Sequence, residues 1–351
     1  MTQPVRATLA DAFISAAAQL KVEGKNGGMS HIVEMAKRIK SAQKFFITND
    51  VAETCVSVMR SKPSSLVSAL SFARPPFGAC WFERDGRYGG EVKPGQIATD
   101  SVGMLIEATE DDCSAYTVMT AWKFNPTQHR RMVIDETGED MISKIPRRLQ
   151  DASHLGISVT RACVDTVAGR RPKTGFPILM RGNGYNPDVS EEDNKAMDDL
   201  RTMIHGDVVD EALINDLVEA SIVDSVKTSG QAESLRADVE SEMGIVLGSL
   251  ILMNAKNGAE TVEVKAPEKL NRARMKRGDL PLVDYSEVRI KVSQAAERAL
   301  ADGRAEHADI RRHIVRGHFK VRSSGVYWWH PHLRGSLDAG LLGRTGHKVT
   351  P

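Results

Sequence analysis

The spacing of apolar residues divides the first half of the chain into a helical part and a β part. Apolar side chains recur at helical spacing and predict four helices, at about residues 9–20, 32–39, 50–59 and 65–73. Pro75 and Pro76 then end helix formation, because proline fixes its own φ and restricts the residue before it. Strand-like runs follow at residues 80–83, 102–108 and 115–122, and the last two predict an antiparallel hairpin.

The middle of the chain is predicted to be helical. Helical patterns occur at residues 145–164, 190–204, 210–226 and 232–254. Ser190 and Asp193 have the spacing typical of a capped helix start. The last helix is apolar on all sides between Met243 and Met253, which predicts either burial by several neighbours or an oligomer contact.

The overall pattern predicts an α+β protein with a basic C-terminal module. This module combines a short charged helix, a strand near residues 288–292, a helix near 295–302 and a terminal β-hairpin. The predicted organisation is N-terminal helices with an antiparallel sheet in residues 1–164, a Gly- and Pro-rich linker at 165–189, an acidic helical segment at 190–258 and the basic α+β module at 265–351.

Two β-branched and aromatic runs, 318–322 and 326–330, predict the terminal hairpin. A three-residue loop, in which Gly325 supplies a positive φ, gives the pairs Arg322 with Val326, Lys320 with Trp328, His318 with His330 and Arg316 with His332. One face would then be basic and carry Trp328, whereas Phe319, Val321, Tyr327, Trp329 and Pro331 would share an apolar face. A two-residue turn at positions 324 and 325 would instead mix the two faces.

The predicted basic face is suited to nucleic acid. Lys and Arg attract phosphates of any sequence, and an exposed aromatic ring stacks on any base. The candidate binding residues are Arg316, His318, Lys320, Arg322, Trp328, His330, His332 and Arg334 on the hairpin, and Arg272 and Arg274 on the short helix. A solvated basic face on a packed hairpin, with no ligand, is the alternative interpretation.

The charge distribution supports an anionic partner for the C-terminal quarter. The net charge is only +1, but residues 265–351 contain 18 Lys or Arg against 9 Asp or Glu, a net charge of +9. The remaining 264 residues have a net charge of −8. Such an asymmetry favours either an anionic ligand or the docking of the two halves onto each other.

No metal or cofactor is predicted. Four histidines could gather around zinc, but their spacing matches no standard zinc finger and the neighbouring cations oppose a metal ion: His313, His318, His330 and His332. The four scattered cysteines form no CxxC pair and are expected to be reduced and mostly buried. Glu83, Asp85 and Glu107 could form an acidic cation site, although carboxylates near turns are usually solvated.

Three strings carry a family resemblance: HIVRGHFKVRSSGVYWWHPHLRG at residues 313–335, LNRARMKRGDLPLVDY at 270–285 and ARPPFGACWFE at 73–83. They resemble proteins encoded by tailed phages and prophages of proteobacteria, which share a C-terminal HxVRGHxK…G…WWxPHxRG pattern. The resemblance covers most of the chain and implies a phage origin. It carries over no activity and no catalytic residue.

The expected location is the cytoplasm, which for a phage protein is that of the host cell. The chain begins without a signal-peptide pattern, and its longest apolar run is far shorter than the ~20 residues of a spanning helix, so no membrane contact is expected.

The leading functional hypothesis is a phage-encoded protein that binds DNA or RNA through the basic hairpin. The first alternative is an enzyme, with or without zinc, acting on a phosphodiester, with His318 or His330 as general acid or base and with Arg316, Arg322 or Arg334 stabilising charge. The second alternative is an assembly protein that forms a homo-oligomer through the helical middle.

Overall fold

The computed structural model describes most of the chain. The described residues are 7–22, 30–86, 98–132, 138–139, 141–144, 147, 150–167, 170, 176–177, 190–208, 231–291, 311–315, 317–334 and 336–341. They form an α+β fold, which confirms the predicted fold class. Within these residues, no helix has the length and apolar character that crossing a membrane requires.

A mixed sheet of nine strands forms the centre of the fold. In chain order the strands are β1 (Gln43–Ile47), β2 (Ala79–Asp85), β3 (Thr99–Ala108), β4 (Ala115–Phe124), β5 (Leu155–Asp165), β6 (Phe176–Pro177), β7 (Ile204–Val208), β8 (Ala259–Val264) and β9 (Tyr285–Ile290). Their order across the sheet is β6-β7-β5-β4-β3-β2-β1-β9-β8. β1 is parallel to both of its neighbours, and the other pairs are antiparallel.

Eight α-helices, several short 3₁₀ helices and two small sheets complete the described structure. The helices are α1 (Leu9–Val22), α2 (Ser30–Ser41), α3 (Asn49–Ser61), α4 (Pro63–Ser68), α5 (Pro126–Met132), α6 (Glu191–Met203), α7 (Gln231–Asn254) and α8 (Glu268–Lys276). The remaining strands are β10 (Arg311–Val315), β11 (His318–Arg322), β12 (Gly325–Trp329), β13 (His332–Arg334) and β14 (Ser336–Leu341). Strands β11 and β12 form a hairpin, and the other three form a sheet in the order β13-β10-β14.

The central sheet separates two hydrophobic cores. Alternate side chains of a strand point to opposite faces, so Trp81 packs with α1 and α2 while Phe82 packs with α3, α4 and α7. The core on the α7 side also contains Phe319, Val326 and Trp328 of the hairpin. The hairpin is therefore built onto the main core.

Helix α7 lies within the core, which confirms burial by several neighbours. Every residue from 242 to 252 is buried. Gly248 faces α3, where an added Cβ would lie 2.7 Å from the Sγ of Cys55. Glycine at this position therefore allows the two helices to approach closely. The apolar run is therefore covered by the chain itself.

Three sequence-based assignments need correction. Residues 155–165, predicted as part of a helix, form strand β5 because they pair with β4 and β7 on both sides. Strand β1 was not predicted. Tyr285–Ile290, assigned to a separate C-terminal module, pairs with β1 and β8 and so belongs to the same sheet as the N-terminal strands. The predicted helices at 210–226 and 295–302 lie outside the described residues.

Glu83 anchors helix α1 and does not form the suggested cation site. Its carboxylate accepts hydrogen bonds from the backbone N–H groups of Leu9 and Ala10 and from the indole N–H of Trp81. Glu107 pairs with Arg38 at 3.1 Å. Burial raises the pKa of Glu83 from its ordinary value of 4.5 to about 7, against the lowering effect of these three donors.

A buried ion pair joins the sheet to α7. Arg84 of β2 donates to Glu242 of α7 through Nε, at 2.9 Å, and through Nη2. Both side chains are less than a tenth exposed. Each charge is removed from water, so each depends on the other for compensation.

The raised pKa of Glu83 predicts a specific loss of stability with pH. The folded protein retains a proton that the unfolded chain releases between about pH 4.5 and pH 7, so the free energy of unfolding falls across this interval. Between about pH 5 and pH 8, we expect the free energy of unfolding of wild type to fall by about 2–3 kcal/mol more than that of Glu83→Gln. Urea unfolding at each pH is the measurement. Glu107→Gln is the control and should retain the wild-type profile. Parallel profiles for wild type and Glu83→Gln would contradict the assignment.

Removal of one partner of the buried ion pair should be costly. Glu242→Ala leaves the Arg84 guanidinium buried without its carboxylate, and we expect a loss of about 3–5 kcal/mol in the free energy of unfolding. The double variant Arg84→Met with Glu242→Leu should recover most of this loss. Glu268→Ala, which breaks the exposed pair with Arg272, is the matched control and should cost less than about 1 kcal/mol. Equal small losses would show that the buried pair is dispensable.

Candidate nucleic-acid interface

The terminal hairpin forms where it was predicted, but in a different register. Its cross-strand pairs are His318 with Trp329, Phe319 with Trp328, Lys320 with Tyr327, Val321 with Val326 and Arg322 with Gly325. The loop thus has two residues, 323 and 324, and differs from both turns considered from the sequence. Gly325 has φ +123°, so the predicted positive φ is present. Moving the register by one residue exchanges the two faces of β12.

The predicted role of Trp328 is therefore wrong. Trp328 is 3% exposed, packs against Phe319 with ring centroids 5.1 Å apart, and has no face available to a ligand. Gly317 lies beneath it, where an added Cβ would be 2.5 Å from the indole ring. The exposed tryptophan is Trp329, at 41%. In this register Phe319, Val326 and Trp328 of the hairpin belong to the main hydrophobic core.

The segment after α7 holds the hairpin in place. The backbone N–H of Lys256 donates to the carbonyl of Val326 at 2.9 Å, and the N–H of Trp328 donates to the carbonyl of Lys256 at 3.2 Å. Lys256 thus pairs with Tyr327 in a single parallel β-bridge at the edge of the hairpin. These bonds also place the Lys256 side chain beside the hairpin, which the sequence did not predict because about 70 residues separate the two segments.

The two central histidines do not face each other as predicted. The ring of His318 lies 5.7 Å from that of Trp329, whereas His330 contacts the buried Trp328 and lies 2.9 Å from the carbonyl of Asn257 through Nε2. Burial lowers the pKa of His330, and the bond to Asn257 opposes this shift. In the described part of the chain, no three His, Cys, Asp or Glu side chains form a group that could hold a metal ion.

The exposed side of the hairpin combines cations with aromatic rings. Lys320 Nζ lies 4.6 Å from the centroid of the Trp329 ring. The Tyr327 ring has two cations, Lys256 Nζ at 5.2 Å and Arg322 Cζ at 5.5 Å from its centroid. We call this surface the hairpin face, and it consists of Lys256, His318, Lys320, Arg322, Tyr327 and Trp329.

The hairpin face is electrostatically positive. Among the described residues, no carboxylate lies within salt-bridge distance of its lysines or its arginine. The Tyr327 hydroxyl lies 2.9 Å from Ser324 Oγ and 3.3 Å from Lys256 Nζ. The hydrogen bond with Ser324, followed by that with Lys256 and the nearby positive charges, lowers the pKa of Tyr327. The face thus presents hydrogen-bond donors and positive charge to an anionic ligand.

The other predicted residues do not belong to this face. Arg272 pairs with Glu268 at 2.8 Å, and Arg274 Nε donates to the carbonyl of Leu280 at 2.8 Å. Their helix, α8, follows the C-terminal end of β8, whereas Lys256 precedes the N-terminal end. A six-residue strand separates the two positions by about 17 Å.

Three further candidates lie beyond the hairpin. Arg316 is outside the described residues. His332 and Arg334 lie on β13, where they pair with Val315 and His313 of β10. Of the predicted binding residues, the structure therefore brings together His318, Lys320 and Arg322, and it adds Lys256, Tyr327 and Trp329. A two-residue loop at 323 and 324, which pairs Phe319 with Trp328, would have placed Tyr327 and Trp329 on the exposed face.

Truncation of the two tryptophans should distinguish the two registers. Trp328→Ala removes a buried ring, and we expect the free energy of unfolding to fall by about 3–5 kcal/mol. Trp329→Ala removes an exposed ring and its contact with Lys320, and should cost less than about 1 kcal/mol. Urea unfolding of the two variants is the measurement. A larger loss for Trp329→Ala would favour the register in which Trp328 is exposed.

The comparisons with known proteins identify no relative. No protein-family model matches the chain. No curated protein matches it significantly, and neither does any solved structure. The resemblance to phage-encoded proteins stays a prediction, and the role of the hairpin face is therefore inferred from its own chemistry.

Proposed function

We propose that this protein binds nucleic acid through the hairpin face. Lys256, Lys320 and Arg322 would contact phosphates, while Tyr327 and Trp329 would stack on bases. The observation that carries the proposal is that three cations lie over two rings on one face of a hairpin whose other face buries Phe319, Val326 and Trp328. Phosphates and π-faces are the two features that every nucleotide offers to such a surface.

A base that stacks on a ring of the hairpin face would be bound more strongly than the cation that lies there. A cation over an exposed aromatic ring is worth about 0.5–1 kcal/mol. A base stacked on the same ring is worth about 1–3 kcal/mol. A nucleotide would thus replace the cation on the ring, and the displaced Lys or Arg would gain a phosphate partner within reach of its flexible side chain.

The enzyme and oligomer hypotheses receive less support. The enzyme hypothesis used His318 and His330 as possible acid and base, yet His318 lies with Trp329 on the exposed side whereas His330 contacts the buried Trp328. The oligomer hypothesis used the apolar run of α7, which the chain covers itself. We therefore propose binding of nucleic acid without a chemical step.

Removal of the cations should weaken binding and reduce its dependence on salt. Each phosphate contact to a single strand contributes about 0.7 to the slope of log affinity against log salt, so Lys320→Ala with Arg322→Ala should lower that slope by about 1.4. Fluorescence anisotropy of a labelled oligonucleotide of about 16 nucleotides, titrated between about 50 and 200 mM salt, is the measurement.

A control variant carries the same change of charge elsewhere. Lys265→Ala removes an exposed lysine at the far end of β8, Arg272→Ala removes an arginine on α8, and the two are combined in one protein. This double variant should retain the wild-type affinity and slope. Binding that is independent of salt, or equal losses in the hairpin variant and the control variant, would show that the hairpin face is not the binding site.

A further inference from the structure

We infer that the hairpin face binds a single strand with its bases spread apart, in preference to a duplex. The inference rests on the proposed function and narrows it to one class of ligand, single-stranded DNA or RNA. Its basis is the spacing of Tyr327 and Trp329, the burial of Phe319 and Trp328 on the opposite face and the distribution of cations between the two rings.

The two aromatic residues are spaced for separate bases. Tyr327 and Trp329 are alternate residues of β12 and so project from the same face. Alternate positions on a strand are about 6.7 Å apart. Successive nucleotides of a duplex rise by only about 3.4 Å, half of this distance. Two neighbouring bases can each occupy one ring only if they are separated from each other, as a flexible single strand allows.

The way a duplex displays its bases leads to the same conclusion. A duplex presents base edges in its grooves and keeps the base faces inside the stack. An aromatic side chain on a protein surface reaches a base face only where the base is unpaired and unstacked. Trp329 and Tyr327 lie on a hairpin whose other face is fixed by Phe319 and Trp328, so they form a platform. They do not form a wedge that could enter a stack.

Each of the two aromatic rings has at least one cation over it. Lys320 lies over Trp329, and Arg322 and Lys256 lie over Tyr327, so each ring has at least one cation of its own. A strand that runs along β12 would meet one ring and one cation for each nucleotide. The face therefore has the repeat of a dinucleotide site, with each base on a ring and each phosphate near a displaced cation.

The decisive experiment compares a single strand with its duplex. Binding of the full chain to labelled oligothymidylate DNA, to oligouridylate RNA and to the duplex that each forms with oligoadenylate DNA is measured at one salt concentration. We expect at least one of the two single strands to bind about tenfold or more tightly than its duplex, with quenching of tryptophan fluorescence, since one stacked base is worth a factor of roughly 5–150.

Variants at the rings separate stacking from charge. Trp329→Ala and Tyr327→Ala should each reduce single-strand affinity by about fivefold or more and leave duplex affinity nearly unchanged. Trp329→Phe and Tyr327→Phe retain a ring and should restore most of the affinity. Phe77→Ala removes an exposed aromatic side chain outside the hairpin and serves as the control for general loss of surface. Circular dichroism confirms that each variant is folded.

The outcomes distinguish the inference from the proposed function. Salt-sensitive binding of single strand and duplex with equal affinity, unchanged by Trp329→Ala, would overturn the single-strand inference and leave nucleic-acid binding in place. Tighter binding of the duplex than of the single strand would likewise overturn only the single-strand inference. No binding of any of the oligonucleotides would overturn both.

Discussion

Burial of α7 against the central sheet is the constraint on which the rest of the structure depends. The helix contributes a continuous run of buried residues, and Gly248 lets it approach α3 closely. Its only described charge in this run, Glu242, is compensated by Arg84 of the sheet. Where α7 ends, the chain turns at Ala255 and Lys256 binds the hairpin through backbone hydrogen bonds. The position of the candidate site is thus set by the position of the core helix.

The hairpin is stable in this place because side chains of one of its faces are buried in the main core. A two-stranded hairpin alone is marginally stable in water. Here Phe319 and Trp328 are buried in the main core, and the backbone of Lys256 extends the hairpin by one bridge. On the other face, no described side chain belongs to either hydrophobic core. Tyr327 and Trp329 lie on this second face at the spacing of β12, with Lys256 and Arg322 over the ring of Tyr327, and Lys320 and the His318 ring beside that of Trp329.

The proposed binding depends on local arrangement more than on total charge. The C-terminal quarter has a net charge of +9, but the arginines of α8 form bonds within their own helix and with the following loop. The cations of the hairpin lie instead over aromatic rings, and no described carboxylate is within salt-bridge distance of Lys320 or Arg322. A few cations held in this way are worth more to an anionic ligand than a larger number that are neutralised by neighbours.

The sequence by itself determined the fold class, the four N-terminal helices, the β3–β4 hairpin, the burial of α7 and the existence of the terminal hairpin. These features follow from local periodicity and from turn residues such as Gly325, which act within a few residues of themselves. Only the tertiary structure decided that residues 155–165 form a strand, because pairing with β4 and β7 outweighs a helical pattern. It also decided which tryptophan is exposed. A shift of one residue in register exchanges the faces of β12, and the choice depends on a core and on a lysine that lie far away in the chain.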